Sequence, residues 1–100
     1  MNGNFDRVNR QGDDKIKVEG WLTWDPGDED AQLSIAVTQN AVTALGSGHV
    51  TRGDDSWDIE IELNGGTFSE GVASGMAAAV VTTTTGSASQ NWQSGPIRVH

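Results

Sequence analysis

Residues Gly71 to Thr85 (GVASGMAAAVVTTTT) belong to the longest charge-free part of the chain and constrain its fold most. Taken at alternate positions, they put Val72, Ser74, Met76, Ala78 and Val80 on one side and Ala73, Gly75, Ala77, Ala79 and Val81 on the other. Both sides are small and mostly apolar, the pattern of a strand covered on both faces. Met76 to Ala79 alone would also suit a helix, since alanine is the best helix former. Gly75 precedes that segment, however, and Val80 to Thr85 are all β-branched, stiff at χ1 and at home in extended chain. The segment is therefore predicted to be a strand, and the fold all-β.

One hundred residues make one small domain. A chain of this size buries only about two thirds of its unfolded surface, so its core is modest. Leu, Ile, Val and Phe are sparse, but the four Trp supply large buried areas. The formal charge of −8 repels phosphate backbones and anionic lipid, so no direct nucleic-acid partner is expected. The chain has no cysteine, which excludes disulfides, thiolate zinc sites and thiol catalysis. No signal peptide or run long enough to insert in a membrane as a helix is visible, which favours a cytoplasmic or virion-associated setting.

Met1 to Gly12 is polar and reads as a flexible N-terminal arm, with Phe5 and Val8 as anchors and Arg7 and Arg10 as charges for an acidic neighbour. Residues 13–100 read as the folded domain. Asp13 to Trp24 alternates, with Ile16, Val18, Gly20, Leu22 and Trp24 on one face and Trp21 on the polar one. Asp25-Pro26-Gly27 breaks that strand. Ala31 to Gln39 places Leu33, Ile35 and Val37 inward. Ala41 to Val50 returns as a weaker strand, in which Gly46 and Gly48 mark a bulge or a close backbone approach. Ser56 to Leu63 is sharply amphipathic: Trp57, Ile59, Ile61 and Leu63 alternate with Asp58, Glu60 and Glu62, acids that discourage edge-to-edge pairing. Ala88 to Val99 is the last strand, interrupted by Gly95-Pro96.

Six to seven strands with recurring turn signals predict a single antiparallel β-sandwich. The rhythm across Lys15 to Val99, and Phe68-x-x-Gly71 leading into an alternating Val/Ala/Thr strand, resemble the immunoglobulin-like β-sandwich domains of bacterial and phage structural and surface proteins. That resemblance implies a structural role and carries over no functional residue.

Few residues suggest chemistry. His49 and His100 are the only histidines, and no nucleophile-elbow spacing frames a serine, so no enzyme is expected. Asp25, Asp28, Glu29 and Asp30 concentrate oxygens in one loop, with Asp54 and Asp55 as further candidates. Ca²⁺ takes about six to eight oxygen ligands, but the loop departs from EF-hand spacing, so an acidic solvated turn is the preferred reading and no cofactor is expected. Arg52-Gly53-Asp54 matches an integrin-binding tripeptide, yet all three are ordinary turn residues. Trp21 and Trp92 fall in polar surroundings, where an exposed indole stacks on a sugar or anchors a protein contact; a core position for either is the bland alternative. The expected function is a non-enzymatic structural or assembly module, of virion-decoration or surface-filament type, acting through protein–protein contacts or self-assembly. The alternatives are a carbohydrate-binding module using Trp21 and Trp92, and an acidic inhibitor that mimics nucleic acid.

Overall fold

The computed structural model describes all 100 residues as seven strands: β1 (Asn2–Arg10), β2 (Lys15–Thr23), β3 (Asp28–Gln39), β4 (Val42–Thr51), β5 (Ser56–Glu62), β6 (Gly71–Thr83) and β7 (Gly86–Val99). They form one mixed sheet in the order β4-β3-β6-β7-β1-β2-β5. The sheet curls almost into a barrel, because the two outermost strands, β4 and β5, come to lie against one another. They meet through side chains rather than a backbone ladder. Gly46 and Gly48 make that approach possible: a Cβ on Gly46 would stand 2.8 Å from Ile61 Cγ1 and 2.9 Å from Ile59 Cγ2. No helix is long and apolar enough to cross a membrane.

Five of the neighbouring pairs are antiparallel, but β1 and β7 run parallel and pair only at Arg7 with Arg98 and Val8 with Val99. The expected all-antiparallel arrangement is corrected by this one junction. Two antiparallel groups result, β1-β2-β5 and β4-β3-β6-β7, with the core between them. Alternation decides what each strand contributes. Ile16, Val18 and Leu22 come from β2, Leu33, Ile35 and Val37 from β3, and Trp57, Ile59 and Ile61 from β5. Each large aliphatic side chain so enclosed contributes roughly 1.5–3 kcal/mol.

Two further expectations are corrected. Asn2–Arg10 is not a free arm but a strand with partners on both sides, and Phe5 and Val8 are buried in the core. A register shift between Phe5 and Arg7 sends both Phe5 and Val8 inward although they are three residues apart. And β6 is covered on one face only. Ala73, Ala77, Ala79 and Val81 face the core, where small side chains suit a narrow interior; Val72, Met76 and Val80 stand in solvent.

Candidate functional site

The outer faces of the two strand groups differ sharply in charge. On β2 and β5 the register sets Lys15 opposite Glu62, Lys17 opposite Glu60 and Glu19 opposite Asp58. Arg7 on β1 donates from Nε to Glu19 Oε2 at 2.8 Å, and Asn9 Nδ2 reaches the same oxygen at 2.8 Å. Acids and bases interleave across β1 and β2 here, while Asp58, Glu60 and Glu62 run in a row along the exposed side of β5.

The outer face of β4-β3-β6-β7 is uncharged across its middle. Leu45 lies opposite Ala36, Ala36 opposite Met76, and Met76 opposite Gln93. The next row runs Ser47, Ser34, Ala78, Asn91, and the one after it His49, Gln32, Val80, Ser89. Leu45 is 71% exposed and Met76 58%. Between them lies a shallow depression of about 420 Å³ lined by Ser34, Ala36, Leu45, Met76, Ala78 and Asn91, among others. Alternation sets Met76 and Val80 on one side of their strand, and that side, expected to be covered, is open. Leu45 has the opposite parity to the buried Ala44 and Val50, the sequence signal of its exposure.

The sequence-predicted site residues scatter. Trp21 stands on the outer face of β2, 49% exposed, as its parity requires. Trp92 does not join it: its side chain is core, packed beneath Gly3, and this corrects the paired-Trp platform. The shift between Ala73 and Gly75 on β6, facing Ser94 to Ile97, changes the parity of β7 and so turns both Trp92 and Ile97 inward. Phe5 is core, Arg7 is tied to Glu19, and Arg10 Nε reaches His100 O at 3.3 Å. Trp24, expected inside, is partly buried and donates from Nε1 to Asp54 O at 2.8 Å. Arg52 of the Arg-Gly-Asp tripeptide is exposed but tied down: Nη1 donates to the carbonyls of Asp25 and Asp28 at 3.0 and 2.9 Å. His49 Nε2 sits 3.6 Å from Asp30 Oδ2 on the exposed side of β4.

The acidic turn is organised around an ammonium group. The Met1 amino terminus lies 2.7 Å from Asp25 Oδ2 and 2.6 Å from Asp28 Oδ2, and Asp28 Oδ2 also accepts the Asp25 N–H at 2.9 Å. Gly27, at φ 91°, makes the turn that brings the two carboxylates together. The ammonium hydrogen bond, followed by that from the Asp25 backbone, holds the Asp28 carboxyl below its usual 3.8. Burial disfavours the charged amine most strongly, but the hydrogen bonds and charges of Asp25 and Asp28 together outweigh it and raise the amine above its usual 8.0. The lowered carboxyl adds stability above its unfolded pKa, lost as pH falls through the folded value; the raised amine adds stability below its unfolded pKa, lost as pH rises through the folded value. This cluster therefore stabilises the fold most from about pH 5 to 8 and less on either side. Asp28→Asn is expected to cost about 1–3 kcal/mol near neutrality and to flatten both flanks, read by urea denaturation across pH.

Comparison with protein-family models, with curated proteins and with solved structures returns no match.

Proposed function

We propose that the protein is a non-enzymatic assembly module that meets a second copy of itself through the uncharged outer face of β4-β3-β6-β7. The observation that carries this reading is the exposure of Leu45, Met76 and Val80 on a face that is uncharged across its middle, in a chain whose net charge is −8. Two such chains repel through most of their surfaces, and this face is where they meet without setting acid against acid. Burying each of the three side chains against a partner contributes roughly 1 kcal/mol, given their partial exposure at the start. The flanking Ser, Thr, Asn and Gln side chains supply donors and acceptors of both kinds, which suits a two-fold contact of a surface with itself. Within this reading the fold is an immunoglobulin-like sandwich. The grouping of β1, β2 and β5 against β3, β6 and β7, with β4 added beside β3, supports it. Such modules join or decorate larger arrays, of the kind a virion shell or a surface filament presents.

Sedimentation velocity over a concentration series, at low and high salt, tests the contact. Dimer is expected to grow with concentration and, because salt screens the mutual repulsion while leaving apolar burial intact, to grow with salt as well. Met76→Glu, on the outside of the sheet, is expected to keep the β-rich circular dichroism spectrum and to remain monomeric. A wild-type protein that stays monomeric at every concentration and salt overturns the proposal.

A further inference from the structure

A second surface feature lies away from the uncharged face and does not depend on it. Trp21 forms one wall of a recess of about 150 Å³, lined also by Asn2, Gly3, Asn4 and Thr23. The register explains the grouping: Trp21 lies opposite Asn4 on β1 and Ser56 on β5, and Thr23 opposite Asn2. Asn2 Oδ1 accepts the Gly3 N–H at 2.9 Å, and Asn4 Oδ1 accepts the Phe5 N–H at 2.8 Å. These bonds fix which end of each amide faces the backbone. They leave both Nδ2 groups, which have no protein partner, as donors. Beneath the recess, Gly3 lies directly on the buried Trp92 indole; a Cβ on Gly3 would come within 2.6 Å of Trp92 Cζ2. The floor is thereby packed rigidly against the core.

We propose that this recess binds a neutral pyranose ring. A half-exposed indole offers a flat apolar face to the C–H side of a sugar, and it does so without needing a deep cavity. The two amide donors and the Thr23 and Ser56 hydroxyls surround that face with groups that hydrogen-bond sugar hydroxyls, the few placed polar contacts that fix a ligand's orientation. The sugar is neutral because the adjoining row of the same face sets two acids, Glu19 and Asp58, against one base, Arg7, and the whole chain is acidic. A uronate or sulfated ring would meet repulsion on approach. One indole and a shallow recess give weak binding, with a dissociation constant on the order of a millimolar.

Isothermal titration of the full chain with cellohexaose, mannohexaose, chitohexaose and polygalacturonate tests the assignment. Saturable heat is expected with at least one neutral oligosaccharide, and none with polygalacturonate. Trp21→Ala is expected to weaken the binding about tenfold or more, while Trp21→Phe keeps most of it. Met76→Glu is expected to leave it unchanged, so failure of self-association and failure of sugar binding are read separately. Three results would each overturn the proposal: no saturable heat with any neutral probe, Trp21→Ala binding as wild type does, or polygalacturonate binding as tightly as the neutral sugars.

Discussion

Gly20→Ala is expected to destabilise the protein at or above the top of the roughly 1–3 kcal/mol that overpacking a core costs. Gly20 lies opposite Phe5 on β1 and opposite Trp57 on β5. The two rings meet over it edge to face, with centroids 5.3 Å apart and planes at 79°. A methyl at this position would run into the Asn4 carbonyl oxygen and the Trp57 ring. Because one obstacle is backbone, rotating a side chain gives no relief, and β1 and β2 must part. Gly48→Ala provides the contrast. Its nearest obstacle is Ile59 Cγ1 at 3.2 Å, part of an aliphatic side chain able to shift. Its cost is expected to be the smaller of the two. Urea midpoints of both variants against wild type decide this, and equal midpoints would show that the Gly20 slot is not what locks the strands together.

The second large effect is expected at Trp57 itself. Trp57→Ala removes a nearly enclosed indole and its contact with Phe5, and is expected to cost about 3–5 kcal/mol. Trp57→Phe is expected to cost far less than the lost ring area suggests. The Trp57 Nε1–H is buried with no acceptor. Leaving such a donor unsatisfied costs about 1–3 kcal/mol, and phenylalanine carries no such group. Denaturant midpoints for the two variants should therefore be well separated. If phenylalanine proves as damaging as alanine, the indole's shape rather than its burial holds this part of the core.

The sequence makes the strands legible where alternation is uninterrupted. The β2 and β5 patterns predict their buried faces residue by residue, and Gly46 and Gly48 sit where a close approach was expected. Reading fails where a register shift alters the period. Phe5 and Val8, three apart, conceal β1 within an arm-like segment; Trp92 and Ile97, five apart, conceal the inward face of β7. The parallel junction of β1 with β7 is a tertiary event with no local signal. Of the surface features, Trp21 is legible by parity. Val72, Met76 and Val80 sit on the expected side of β6, but whether that side is covered cannot be read from their identity. Asn2 and Asn4 escape notice for the same reason as β1.

The junction of β1 with β7 also bears on how the chain reaches this state. Arg10 and His100, 90 positions apart, are joined there by a hydrogen bond, and the two strand groups share no other ladder. During synthesis β1 and β2 emerge first, and the open edge of β1 waits for β7, the last strand, before its ladder can form. Bringing such distant segments together is entropically costly and slow, so closure belongs to the millisecond-to-second regime of non-local β folds. Throughout that interval the mutual repulsion of chains carrying a net charge of −8 works against aggregation.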